Sequence, residues 1–340
     1  MSFGPHTTVC RHKYHARTTY PMDTSTNRSG TSGVLRRTGA YLVAHAREFA
    51  ALTVVLTFLL VLLGEFTAAA GAGATCNNTY PGCAGHLSPI GLSVPQFIEW
   101  FHRLVAMLTG YLIVGNGILL WWRHRGTRTS RAAWLATVLL PLQVLFGGFT
   151  VTLAGMLPGG YSPPVQLTHF TTALAIYTAL LVSLVWVDVA DGRGATRRRL
   201  RTVALVGLAL PVLQAVFARG FLLTFWPSVQ TGYHLFGLLG FAAFVAVVLW
   251  ARELGHIDAA ILGTVGALVT LVNAFLVIGV FVITARVEAV TYLLLFVQFL
   301  LFGGLAWVTS RSSAGASTGA GHDSPPRAPA DRAHEDEPVQ

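Results

Sequence analysis

Residues 94–122, VPQFIEWFHRLVAMLTGYLIVGNGILLWW, decide the fold class of this chain. The stretch is long and apolar enough to cross a bilayer, which takes about 20 residues of helix. Near its start it nevertheless carries Glu99, His102 and Arg103. Ionisable groups inside a membrane are costly and are functional candidates by default. The stretch therefore predicts a membrane helix with a site at one end.

The rest of the chain is built in the same way. Of its 340 residues, 53% are hydrophobic and only 11% are charged, whereas a soluble domain carries about 25% charged residues. Apolar segments of membrane-spanning length lie at about residues 49–70, 97–122, 132–156, 164–187, 200–223, 229–251, 259–283 and 287–309. We therefore expect an all-α, polytopic membrane protein with eight transmembrane helices.

The two ends differ from this pattern. Residues 1–48 are polar and basic, and residues 310–340 are rich in Ser, Gly, Ala and Pro and become acidic. Both compositions predict disordered tails. The basic composition of residues 1–48 is also found in organelle transit peptides, so a mitochondrial inner-membrane protein is the alternative to a plasma-membrane protein.

The positions of the basic residues predict the orientation. All but three of the 23 Lys and Arg residues lie in the tails or in the loops at 123–131, 188–201 and 252–258, whereas the loops at 71–96 and 157–163 have none. The positive-inside rule then places both termini in the cytoplasm. Charges clustered between apolar runs are also a topology signal, so we expect no nucleic-acid partner.

In this orientation, three even-numbered spans each carry a histidine near the outer surface: His102, His169 and His234. Glu99 shares a helix face with His102 because the two are three residues apart. Arg103 has two interpretations, snorkelling to water or pairing with a carboxylate of a ligand. A single intramembrane histidine can simply bond to a neighbouring helix, but three at one depth favour a shared ligand.

Three kinds of site fit such histidines. Haem iron takes one histidine from each of two facing helices. Zinc usually requires three or four ligands, and a proton relay would use glutamate and histidine without a metal. The glycines of FGGF, residues 146–149, would let a flat macrocycle or simply another helix approach closely.

Two of the three cysteines, Cys76 and Cys83, lie in the first external loop, and Cys10 lies in the N-terminal tail. A Pro-Gly turn separates the loop pair, and the outer side is oxidising. A disulfide is therefore the favoured interpretation, and a pair of free or redox-active thiols is the alternative.

Four stretches together resemble the haem A synthase family: GEFTAAAGAGATCNNTYPGCAG (64–85), FIEWFHRL (97–104), LFGGFTVT (145–152) and VQLTH (165–169). The resemblance implies two similar four-helix bundles. The first half, residues 49–187, would hold the substrate haem, and the second, residues 188–309, a cofactor haem.

The resemblance also implies residue roles and partners. His102 and His169 would flank the iron of the substrate haem O, and Glu99 would steer protons or stabilise a cationic intermediate. His234 would ligate the iron of a haem B cofactor. The reaction would oxidise a methyl group of haem O to the formyl group of haem A for terminal cytochrome oxidase biogenesis. Implied partners are haem O, haem O synthase, an external electron donor and a second copy of the chain.

The eighth span departs from the family pattern. Residues 286–304, RVEAVTYLLLFVQFLLFGG, contain no histidine. Alignment with VQLTH puts Thr291 at the ligand position, with Tyr292 and Glu288 nearby. The second-half site would therefore be five-coordinate, use an unexpected ligand or be lost. Rival functions are a haem-carrying electron-transfer cytochrome and a proton-coupled secondary transporter.

Overall fold

The structure, a computed structural model, describes residues 30–317 except 77–78, 81, 154–161, 220–221, 225 and 280–284. It divides into two units, residues 1–41 and 42–340. Every named element in the described residues is an α-helix, and eight candidate spans are long and apolar enough to cross a membrane. The predicted all-α membrane fold with eight spans is confirmed.

The helices follow the predicted segments closely. They are α1 (Gly30–Ala44), α2 (Ala46–Ala69), α3 (Val94–Arg123), α4 (Arg128–Thr152), α5 (Pro163–Ala190), α6 (Arg197–Gly207), α7 (Ala209–Val216), α8 (Pro227–Glu253), α9 (Ile257–Gly279) and α10 (Ala285–Ser317). Helices α6 and α7 together form the fifth span. The break between them follows from Pro211, whose ring clashes with the carbonyl four residues earlier, that of Gly207.

Helices α2 to α5 form a ring in which α2 packs on α3, α3 on α4, α4 on α5 and α5 on α2. Local sequence fixes where these helices start. Ser93 and Gln96 form a capping box at α3, and the Thr127 hydroxyl accepts a hydrogen bond from the Ser130 amide at α4. Because α3 and α5 are not neighbours in this ring of helices, they lie diagonally opposite each other.

The second half forms a similar ring, with α6 and α7 packed on α8, α8 on α9, α9 on α10, and α10 back on α6 and α7. Its centre is filled by the rings of Phe244 on α8 and Phe302 on α10, which stack with centroids 4.0 Å apart. Gly207 makes this packing possible, since a Cβ there would lie 2.2 Å from Phe302.

The two halves share one continuous apolar core. It contains Val61 of α2, Phe170 and Leu180 of α5, and Leu238 and Phe241 of α8. Helix α2 packs on α8, and α5 packs on both α8 and α9. The two halves are therefore joined through α2 and α5 on one side and α8 and α9 on the other.

The ordered chain extends further at both ends than predicted. Within the predicted tail 1–48, α1 covers Gly30–Ala44 and α2 already begins at Ala46; residues 1–29 lie outside the described residues. At the other end α10 continues to Ser317. The physical reason is that no proline interrupts either segment, so helical hydrogen bonding continues beyond the apolar run that marked each predicted boundary.

Candidate functional site

His102 lies on α3 and faces α2. A Cβ placed on Gly64 of α2 would lie 3.3 Å from Cε1 of the His102 ring. The imidazole therefore occupies space that any larger residue at position 64 would restrict. Its Nδ1 is buried and makes no hydrogen bond to the described residues.

His169 on α5 repeats this arrangement against α4. A Cβ on Gly147 would lie 3.1 Å from Cε1 of His169, and the buried Nδ1 again makes no hydrogen bond within the described part of the chain. The Gln143 side-chain amide lies 3.4 Å from the other ring nitrogen, Nε2. His169 is thus held at one nitrogen by a contact near the limit for a hydrogen bond.

A short internal repeat underlies the two glycine contacts. Residues 61–67, VLLGEFT, and 144–150, VLFGGFT, share the pattern Val-Leu-x-Gly-x-Phe-Thr, and its glycine is Gly64 in one copy and Gly147 in the other. The role of Gly64 was missed in the sequence analysis, although this repeat is the signal that would have identified it.

These features fit a haem between α3 and α5. The two histidines come from diagonally opposite helices of the α2–α5 ring. A glycine on a neighbouring helix lets each imidazole lie close to that helix. Buried polar atoms normally have partners, so the unpaired ring nitrogen on each histidine is available to a ligand. Haem iron satisfies two imidazoles from facing helices in this way.

Glu99 is engaged differently from what was expected. It is 2% exposed, and its Oε2 accepts hydrogen bonds from the Cys76 amide at 2.6 Å and the Thr75 hydroxyl at 3.1 Å. Its Oε1 pairs with Arg103 at 2.5 Å. Both carboxylate oxygens are therefore engaged, one by the loop between α2 and α3 and the other by Arg103.

Arg103 completes this attachment. Its guanidinium donates to the carbonyl oxygens of Thr79 at 2.6 Å and Gly82 at 3.3 Å. The structure also places a disulfide bond between Cys76 and Cys83, in the same loop. The helix that carries His102 is thus bound directly to the disulfide loop, and Arg103 faces that loop.

His234 on α8 is 5% exposed. It lies outside the α2–α5 ring of helices that carries His102 and His169. Its Nε2 lies 3.7 Å from a carboxylate oxygen of Glu65 on α2, and its ring lies 6.4 Å from that of Phe170 on α5. Glu65, 9% exposed, was also missed by the sequence analysis. An acidic residue within the apolar run 49–70 was the available signal.

The residues considered as substitute ligands for a second haem are partly engaged elsewhere. The Thr291 hydroxyl, at the position aligned with a ligand, donates to the Val287 carbonyl of its own helix at 3.0 Å, and the Tyr292 hydroxyl donates to the Arg219 carbonyl at 2.8 Å. The remaining candidate is Glu288, which lines a small cavity together with Tyr233 and Tyr292. The contacts of His234 with Glu65 and Phe170 come from the first half.

The comparisons with known proteins identify a family for residues that include the first half. Residues 47–218 match the COX15-CtaA family model, described as cytochrome oxidase assembly protein, and this match includes both His102 and His169. No solved structure matches the chain significantly.

Several curated proteins are similar over part of their length. A protohaem IX farnesyltransferase of Halobacterium salinarum is 33% identical over 129 residues, which are 38% of this chain and 27% of that protein. A haem A synthase of Alkalihalophilus pseudofirmus is 28% identical over 146 residues, 43% of this chain and 47% of the relative. A haem A synthase of Bacillus cereus is 32% identical over 129 residues, 37% of this chain and 40% of the relative.

The chain thus spans less than half the length of each of these curated relatives. The family match is broader, because it covers about half of the chain and includes α2 to α7. The chain belongs to the COX15-CtaA family of cytochrome oxidase assembly proteins.

Proposed function

We propose that this protein is a haem A synthase, an enzyme that oxidises the methyl group of haem O to the formyl group of haem A. The observation that carries the proposal is the pair His102 and His169, each set against a glycine and each with an unpaired buried nitrogen. The similarity to haem A synthases supports the same reaction.

In this proposal the first half binds the substrate haem. His102 and His169 ligate its iron from α3 and α5, and the apolar walls of the α2–α5 ring exclude water from the macrocycle. In this proposal the methyl group is converted through an alcohol and a geminal diol that loses water. These steps remove electrons from the methyl carbon, so the reaction needs an external oxidant as well as the external electron donor. The protein positions the methyl group and the macrocycle.

The relatives suggest where the substrate comes from. The name of the Halobacterium relative describes transfer of a farnesyl group to protohaem IX. Such an enzyme would supply a farnesylated, membrane-soluble haem, and we propose haem O synthase as a partner on this basis. A homo-oligomer remains part of the proposal.

The orientation follows from the charges. We propose a plasma-membrane protein with both termini in the cytoplasm, because nearly all Lys and Arg residues fall on one side if the spans alternate. The disulfide loop and the histidine site then lie towards the outer, oxidising side.

Pigment analysis tests the function. The chain is co-expressed with a source of haem O, and the extracted haems are separated by reversed-phase chromatography. We expect haem A with the wild-type chain and none with His102→Ala or His169→Ala, while His256→Ala, at a cytoplasmic helix end, serves as the control. Bound haem that is never converted by the wild-type chain would instead indicate an electron-transfer cytochrome.

A further inference from the structure

His234 on α8 faces α2 and α5, two helices of the first-half ring. On α2, Gly64 touches the His102 ring and the next residue, Glu65, lies 3.7 Å from His234. On α5, His169 belongs to the site and the next residue, Phe170, faces the His234 ring. His234 thus contacts the immediate neighbours of two residues that shape the site.

Other residues occupy much of the interior of the second half, where the described residues also line a small cavity beside Glu288 and Tyr292. Tyr233, adjacent to His234, donates from its hydroxyl to Oδ1 of Asn273 on α9 at 2.9 Å. Phe244 and Phe302 stack between the diagonal helices α8 and α10. The small cavity beside His234, lined in part by Gln214, Thr270 and Phe170, has about 10 Å³ of free volume, roughly the space of a single water molecule.

The pair of Glu65 and His234 has a clear energetic meaning. The side chains of Glu65 and His234 are 10% and 6% exposed, so both are almost entirely buried in the protein. At 3.7 Å the two atoms are beyond good hydrogen-bonding distance, but each side chain presents a polar group to the other. Removing one partner leaves the other polar group buried without a polar neighbour, which is more costly than replacing both by apolar residues.

We propose that His234 is a positioning residue rather than an iron ligand. Paired with Glu65, it fixes α2 against α8 and thereby holds Gly64 against the His102 ring, and the chain binds haem only in its first half. This inference rests on the proposed function for the identity of the haem, although the pairing itself does not.

The test uses four variants of the full chain: His234→Leu, Glu65→Leu, the double variant with both changes, and His234→Gln, which keeps hydrogen-bonding capacity but is not a haem ligand. The haem-to-protein ratio, the electron paramagnetic resonance spectrum of the ferric haem and the midpoint of thermal unfolding are measured on purified protein. His256→Ala is the control for loss of a histidine.

If His234 acts through Glu65, His234→Gln keeps the wild-type haem-to-protein ratio and the wild-type low-spin signal. Each single leucine variant unfolds at a lower temperature and shifts that signal. The double variant recovers both properties towards the wild type, because neither partner is left buried alone.

An iron-ligand role gives the opposite pattern. His234→Gln would then lose part of the bound haem, and Glu65→Leu could not restore what His234→Leu removes. Either result overturns the proposal. The outcome is separate from the proposed function. If the wild-type chain binds haem without making haem A, the recovery in the double variant can still be measured.

Discussion

At the residue scale, two glycines define the candidate site as much as two histidines do. Gly64 and Gly147 lie in equivalent positions of the repeated Val-Leu-x-Gly-x-Phe-Thr pattern, and each is close to an imidazole. Gly148 follows Gly147 directly, and no side-chain or backbone atom of the described residues lies within 4 Å of where its Cβ would be. The same substitution at adjacent positions therefore separates steric effects from helix propensity.

We expect Gly147→Ala to weaken haem binding and Gly148→Ala to leave it unchanged. Both substitutions favour the helix by about 1 kcal/mol. Only at position 147 does the new methyl press on His169, at 3.1 Å, and overpacking costs about 1–3 kcal/mol. A net loss of about 1.4 kcal/mol would reduce the affinity about tenfold. Titration of the purified chain with haem measures both affinities, and equal values for the two variants would contradict the steric argument.

Glu99 is the second case at this scale, because it is predicted to steer protons or stabilise a cationic intermediate, and its carboxylate is also bound to the loop between α2 and α3. We expect Glu99→Gln and Arg103→Met to lower haem A formation to a similar extent while haem binding persists. Either change breaks a largely buried ion pair, and leaving one charge unpaired costs about 3–5 kcal/mol. Pigment analysis and haem content measure the two effects.

The comparison discriminates between the two roles of Glu99. If Glu99 carries protons, Glu99→Gln should lower haem A formation much more than Arg103→Met, since Arg103→Met keeps the titratable carboxyl group. Arg125→Met is the control, because Arg125 stacks on Trp121 at 4.2 Å outside the loop between α2 and α3.

At the element scale, the loop between α2 and α3 behaves as part of the site. Its disulfide is close to the anchoring carboxylate, and Trp100 of α3 also donates to the Leu87 carbonyl at 3.2 Å. The loop is therefore attached to α3 at several points along the first turns of the helix. Its closure fixes the end of the helix that presents His102.

We expect Cys76 and Cys83 to be joined in a disulfide, and therefore not to react with thiol labels, in membranes isolated without reductant. Closing a loop between cysteines seven residues apart stabilises the folded chain by about 2–3 kcal/mol. Mass-shift labelling counts free thiols before and after reduction, and Cys10 is the internal control that should react in both. Labelling of Cys76 and Cys83 without reductant would rule out the bond.

At the scale of the whole molecule, the same cysteines report the orientation. We expect a membrane-impermeant maleimide added to intact cells to label the reduced loop thiols and to leave Cys10 unlabelled until the membrane is opened. The reason is that the loop at 71–96 has no Lys or Arg, whereas the tail at 1–48 is basic. Labelling of Cys10 in intact cells would reverse the proposed topology.

The sequence alone was sufficient for the fold class and for half of the site. Runs of about 20 apolar residues have no stable alternative to a helix in a membrane, so the eight spans could be read directly. His102 and His169 could be selected because an ionisable group inside such a run is rare and costly. Boundaries were less certain, as α1 and the long α10 show, because helical hydrogen bonding does not stop where hydrophobicity does.

Only the tertiary structure decided which polar groups face one another. Spacing put Glu99 on the face of His102, but its carboxylate reaches the Cys76 amide of a loop that folds back over α3. Depth grouped His234 with the other histidines, but the packing of α8 on α2 turns it towards Glu65. A helix pattern fixes the depth and the face of a side chain, whereas its partner depends on which helices pack together, and that contact joins residues far apart in the chain.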